Sequence, residues 1–283
     1  MSVLDHKIDF AVVLSVSKAN PNGDPLNGNR PRQNYDGFGE ISDVALKRKI
    51  RNRLQDAGEP VFVQSDDRKV DAFKSLRDRA GSNEKLDKML SAKNPSTDEF
   101  ATIASQEWID VRSFGQVFAF KNTTLSVGVR GPVSIHTATS IDPIDITSMQ
   151  ITKSVNSVTG EKRGSDTMGM KHRVDFGVYK FVGSINVQLA EKTGFTTEDA
   201  EKIKQTLVTL FENDGSSARP DGSMEVHKVY WWEHSSKLGQ YSSAKVHRSL
   251  DIKSKVETPK SIEDYAIELT ALDNLSVEEI DGQ

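Results

Sequence analysis

The acids best placed to do chemistry are Asp24 and Asp36, because a phosphate could approach the stretch they border. Lys18 to Asn34 reads KANPNGDPLNGNRPRQN, with three prolines, two glycines and two arginines. An acid there could hold a divalent metal, but Asn22-Gly23-Asp24-Pro25 is also ordinary turn chemistry. Metal-assisted cleavage recruits further oxygen ligands, and Asp36 lies twelve residues away. Asp24 therefore reads first as an orienter of Arg30 and Arg32. The six histidines (6, 136, 172, 227, 234 and 247) are scattered, without a pair at metal-ligand spacing. A phosphate-binding Walker loop, a dinucleotide fingerprint, a Gly-x-Ser-x-Gly elbow and a His-Glu-x-x-His motif are all missing. The chain is expected to be no enzyme and to need no cofactor or metal.

The same loop suits binding better than catalysis. Its glycines let the backbone approach a ligand and its prolines fix the path, while Asn20 and Asn22 tolerate unusual dihedrals and offer amide donors. Arg30 and Arg32 supply fork-shaped donors for phosphate. Taken alone, the loop also fits a surface excursion with incidental charge. The helix that follows adds Lys47, Arg48, Lys49, Arg51 and Arg53, five bases in seven residues with no acid among them. Such a run repels itself unless an anion offsets it, and a phosphate backbone is one such anion. Lys47 and Arg51, four apart, lie together beside the Leu46, Ile50 and Leu54 stripe. A solvated charged face is the other reading.

Further along, Arg112, Ser113, Phe114 and Gly115 combine a base, a hydroxyl, an aromatic ring and a glycine. Phe114 could stack on a base or pack in a core. Met168 and Met170 in GSDTMGMK could wedge between bases or close a packed hairpin end. Trp231 and Trp232 face opposite sides of their strand, so one is expected in the core and the other exposed or at an interface.

These residues need a scaffold, and 283 residues suffice to bury one. The composition, 36% hydrophobic and 28% charged, is that of a globular protein, and the absence of cysteine fits a reducing cytosol. The N-terminus lacks a signal-peptide core and no apolar run reaches ~18 residues, so a cytoplasmic location is expected. The net charge of −4 conceals a gradient: the chain from Asp251 onward carries −6, whereas Lys18 to Arg53 carries +4.

Periodicity places a buried strand at Ile8–Ser17 and a helix at 43–57 capped by Ser42 or Asp43 and stopped by Gly58. A charged insertion follows to about Ser105, then strands over Leu125–Ile141 and a polar, turn-rich hairpin over 142–171. A strand from Val174, a helix from Thr197 and a strand from Met224 complete the order. Stripped of insertions this is strand, helix, strands, helix, strand: an α+β fold of ferredoxin-like, RRM-like type.

Six stretches in order, NPNGDPLNGNRPR, DVALKRKIRN, WIDVRSFGQVFA, GVRGPVSIHTATSIDPI, MGMKHRVDFGVYKFVGSINVQL and TLFENDGSSARP, resemble one family. It is the Cas-seven family of CRISPR Cascade backbone subunits, in its type I-C branch (Csd-two). The resemblance implies one hand-shaped subunit: an RRM-like palm (1–58, 106–141 and 172–283), inserted fingers (59–105) and a thumb β-hairpin (142–171). It implies a ribonucleoprotein of antiviral defence in which copies oligomerise along a CRISPR RNA (crRNA) that pairs with a target DNA strand. Large, small and repeat-handle-processing Cascade subunits would be further partners. By position, Lys47 and Arg51 match bases holding the guide, with Arg48 beside them counted as RNA-binding, and the Asn20–Arg32 loop and Arg112–Gly115 match elements lining the RNA path. Related subunits cut target RNA with a loop aspartate, which makes an Asp24-dependent endoribonuclease the alternative.

Overall fold

A computed structural model describes residues 2–121, 123–153 and 168–283. The apolar run at the start forms strand β1 (Ile8–Ala19), buried at every position from Ile8 to Val16. A strand buried on both sides needs a cover on each face. Phe10, Val12, Leu14 and Val16 point to one face, where they pack with Leu46, Ile50 and Leu54 of α1 (Asp43–Asp56). Ile203 and Leu207 of α7 (Thr197–Val208) complete that layer. Both helices start on sequence-readable caps. Ser42 Oγ accepts from Ala45 N at 3.2 Å, and Thr196 and Asp199 form a reciprocal capping box. Gly58, at φ +82°, follows α1 in the left-handed region.

The central sheet is antiparallel throughout. Its order is β14 (Val277–Asp281), β11 (Met224–Glu233), β1, β10 (Met168–Ile185), β8 (Ala138–Pro143) and β4 (Phe38–Ile41). The short strand β7 (Val133–Ile135) pairs with the Gly183–Ile185 end of β10. Ala11 and Val13 point to the opposite face, covered by α8 (Ser243–Arg248) and the hairpin β12 (Leu250–Ser254) with β13 (Tyr265–Leu269). This second cover corrects one expectation. Trp231 and Trp232 do face opposite sides, but both are buried, Trp231 among the helix-side residues and Trp232 under the hairpin.

Within the stretch expected to form a hairpin, β9 (Ile146–Thr152) pairs antiparallel with the start of β10 as a ribbon, in register from Met168↔Thr152 to Val174↔Ile146. Positions 154–167 lie outside the described residues. The boundaries differ from the sequence reading, because 142 falls inside β8 and 171 inside β10. Strand β10 runs unbroken from exposed Met168 to buried Ile185, so ribbon and core share one strand.

The charged insertion builds a second core. Helices α2 (Leu76–Gly81), α3 (Glu84–Ser91) and α4 (Thr97–Glu107) pack Ala80, Leu86, Leu90, Phe100 and Ala104 around Phe62. Trp108, Phe118, Leu125 and Val127 join them, which draws in the hairpin β5 (Gly115–Ala119) with β6 (Ser126–Arg130). This unit therefore extends past residue 105. Helix α5 (Ile109–Phe114) is the seam, with Ile109 in the first core and Val111 in the second. Beside it, α6 (Val187–Thr193) starts on Asn186, whose Oδ1 accepts from Leu189 N at 2.9 Å. Among the described residues no helix is long and apolar enough to cross a membrane.

Candidate nucleic-acid interface

At the end of β1 the chain enters the proline- and asparagine-rich loop, closed on itself by β2 (Gly23–Asp24) pairing with β3 (Arg30–Pro31). Two of its asparagines help to hold it. Asn20 is buried and donates Nδ2 to Asn29 O at 2.7 Å, while Asn22 Oδ1 accepts from Ser42 N at 2.9 Å, tying the loop to the start of α1. This corrects the reading of Asn20 as an amide donor for a ligand, whereas Asn22 is held through its oxygen alone and lines the cavity described below. Two backbone bonds, Asn20 N to Ala218 O at 2.9 Å and Ser17 N to Ser223 O at 2.8 Å, bring the 211–223 segment alongside. Arg30 Nη1 donates to Ser148 Oγ of the ribbon at 2.9 Å, and Ser148 Oγ lies 2.8 Å from His172 Nδ1. Arg32 is half-exposed, with its Nη2 3.7 Å from Asp24 Oδ1. Loop, ribbon base, α1 and the 211–223 segment thus converge at one end of the sheet.

The basic helix contributes differently from the expectation. Lys47 pairs with Asp43 at 3.0 Å, Arg51 with Asp110 at 2.9 Å, Arg53 with Asp56 at 2.9 Å and Lys49 with Asp214, while Arg48 Nη1 donates to Val63 O at 2.7 Å. The protein itself supplies the anions that the sequence argument sought outside. Arg51 is mostly buried, its guanidinium stacked 5.1 Å from the Phe114 ring centroid. The Arg112–Gly115 segment is likewise interior. Arg112 makes a bidentate pair with Asp199 at 2.8 and 2.9 Å, Ser113 is fully buried, and Phe114 packs on the main core. Gly115, at φ +80°, allows close contact with the 129–131 backbone, since a Cβ there would sit 2.3 Å from Val129 O. These placements correct the reading of Arg112, Ser113 and Phe114 as a ligand-facing set: the segment joins the two cores.

Arg48 and Lys49, on the other side of the helix, do reach a shared opening. A cavity of about 340 Å³ is lined by Pro21, Asn22, Asn52 and four cations: Arg48, Lys49, Arg68 and Arg219. Asp67 and Asp214 are the acids in its wall. The buried Asn52 carries an Oδ1 with no hydrogen-bond partner. Burial pushes Lys49 down to about 8, with Arg219 acting in the same sense and Asp214 opposing both. Burial also lowers Arg48, helped by neighbouring Arg51. A larger hollow of about 770 Å³ adjoins it, lined by Glu212, Asp221 and Glu225 with no base. Charge therefore selects the smaller cavity for an anion.

Arg68 and Arg219 were not singled out from the sequence. Arg219 had a signal: ENDGSSARP shares the asparagine, aspartate, glycine, proline and arginine chemistry of the first loop. Met168 and Met170 stand exposed on the ribbon, on the same face of β10. Among the described residues no three His, Cys, Asp or Glu side chains are grouped to hold a metal ion.

Comparison with known proteins bears on this architecture. The chain is 25% identical over 289 residues to a CRISPR-associated protein Cas7 of Haloferax volcanii, covering 94% of this chain and 82% of that one. Among solved structures, a chain of a "CRISPR RNA-guided surveillance complex, pre-nicking" matches with TM-score 0.49 and 14% identity over 80% of this chain and 78% of that one. A chain of another "CRISPR RNA-guided surveillance complex" matches with TM-score 0.47 and 15% identity over 80% and 68%. The family model described as CRISPR-associated protein Cas7 matches residues 6–270, from the start of β1 beyond the end of β13, and the chain belongs to that family.

Proposed function

We propose that this protein is a non-catalytic, guide-RNA-binding backbone subunit of a type I-C Cascade complex, acting in the cytoplasm. Copies oligomerise along a CRISPR RNA whose bases pair with target DNA, beside the large, small and repeat-handle-processing subunits. The observation that carries the reading is the cleft where Arg48, Lys49, Arg68 and Arg219 face one opening beside the asparagine-rich loop. A backbone-directed grip of that kind holds phosphates and leaves base edges free to pair. Family membership supports it, as do the six ordered motifs for the type I-C assignment. The RRM-like reading of the palm is supported by the strand order β11, β1, β10, β7 with α1 and α7 on one face. The β9–β10 ribbon is the thumb in this reading, and the helical second core the fingers.

Asp24 contributes through its turn. Its Oδ1 accepts from Leu26 N at 3.2 Å and lies 3.7 Å from Arg32, so the carboxylate shapes the loop and orients a guanidinium. The test is co-expression with a repeat–spacer transcript. Purified protein should carry RNA and form regular assemblies, and Arg48→Gln/Arg219→Gln should lower the salt slope of RNA binding by about 1.4 while leaving the protein folded. A nucleic-acid-free preparation, or an unchanged slope in the folded variant, overturns the reading.

A further inference from the structure

We infer that Asp214 sets the affinity of this cleft as a built-in counter-ion: its carboxylate holds Lys49 and Arg219 until a phosphodiester of single-stranded RNA takes its place. The identity of the ligand rests on the function proposed above; the role of Asp214 rests on geometry.

Lys49 is nearly buried, and its ammonium meets the Asp214 carboxylate at Oδ2. Arg219 Nε donates to that same oxygen at 3.1 Å, so one carboxylate oxygen serves two cations that line the cavity. An ammonium with so little access to water cannot be left unpaired cheaply. A phosphodiester carries the same single charge as the carboxylate it replaces, so exchange keeps Lys49 paired throughout. The incoming anion gains only the difference between the two pairings, and Asp214 thereby lowers affinity for every RNA, whatever its sequence.

The surroundings fit an exchange. Asp214 lies between Asn213, at φ +54°, and Gly215, in a turn tethered by Arg68 Nη1 to Asn213 O at 2.5 Å and by Asn213 Nδ2 to Asp56 Oδ2 at 3.3 Å. The buried Asn52 amide has an Oδ1 without a partner and lines the same cavity. With that oxygen buried, the –NH2 end of the amide is the group left to donate to a phosphate oxygen. A stray RNA touching one subunit would meet this competitor with little to offset it. A guide engaging many copies makes enough contacts to displace it in each.

The test measures binding of an unrelated single-stranded RNA, and separately of inorganic polyphosphate, to the full chain. Asp214→Asn should bind both about tenfold tighter at ~0.1 M salt, with a salt slope on RNA steeper by about 0.7. Asp214→Glu, which keeps the charge, should bind as the unsubstituted protein does. If Asp214→Asn does not fold, the comparison moves to Lys49→Gln against Lys49→Gln/Asp214→Asn, where losing the carboxylate should again tighten binding. Unchanged or weaker binding of both probes in a folded variant overturns the inference and leaves Asp214 a structural ion pair. Tighter polyphosphate binding with no RNA binding by any variant upholds the counter-ion role and sinks the RNA reading instead.

Discussion

Arg51 donates from Nε to Oδ2 of Asp110 at 2.9 Å, and Asp110 is fully buried. The same carboxylate accepts the backbone N–H groups of Phe62 at 2.7 Å and Val63 at 3.0 Å. One residue of α5 thus gathers the first helix and the entry to the helical insertion. A guanidinium read from the sequence as half of a guide-binding pair with Lys47 is the cross-brace between the two cores.

Arg51 and Lys47 should consequently separate in experiment. Arg51→Ala leaves a buried carboxylate short of its cation, a change that costs about 3–5 kcal/mol when such a pair is broken. Lys47 sits in a partly exposed i,i+4 pair with Asp43, worth about 0.5 kcal/mol or less. Chemical denaturation should show a large drop in midpoint for Arg51→Ala and almost none for Lys47→Ala. Equal, small effects would return Arg51 to the list of surface cations.

Acid sensitivity should run in part through His247. Burial pushes its imidazolium below the ordinary value of 6.5, outweighing the nearby Asp9 carboxylate and the hydrogen bond to Gly183 O, while His136 and Lys7 add to the depression. The folded chain therefore releases this proton more readily than the unfolded one. Its contribution is flat above pH 6.5, and stability falls as the pH drops below that value toward the lower folded pKa. His227 is depressed by burial in the same direction. Between pH 7.5 and 5.5, His247→Gln should lose less stability than the unsubstituted chain. An identical loss in both would remove His247 from the acid response.

Met168 and Met170 are 59% and 55% exposed on one face of the ribbon. Replacing both with serine should leave the melting temperature of the isolated chain within its error, since exposed positions usually move stability by less than about 0.5 kcal/mol. In the proposed assembly the pair contacts the guide, so electron micrographs of the variant on a repeat–spacer RNA should lose their regular repeat. Regular assemblies from the double variant would free these methionines from any RNA role.

Asp24→Asn should leave guide binding and target-DNA binding within a few-fold of normal, because the amide oxygen can still cap Leu26 N. Complexes built with either protein are expected not to cut complementary RNA in magnesium or manganese. Cleavage that disappears with Asp24→Asn would promote the endoribonuclease alternative.

The sequence by itself determined the elements whose signals are local. A run rich in Val, Ile and Leu made β1 a buried strand, a stripe recurring every fourth residue and Ser42 made α1, a helical pattern from Thr197 made α7, and a polar, turn-rich stretch marked the ribbon. The ordered motifs also sufficed to identify the family. What tertiary structure decided was which charge meets which. Lys49 finds Asp214 at a separation of 165 residues, Arg112 finds Asp199 at 87 and Arg51 finds Asp110 at 59. Periodicity reports only the face on which a base lies; whether a carboxylate waits there depends on how distant segments pack. The same holds for Trp232, because the hairpin that buries it is built from residues 250–269, beyond the reach of any local signal. A candidate binding residue differs from a structural one only by its partner, and partners are long-range facts.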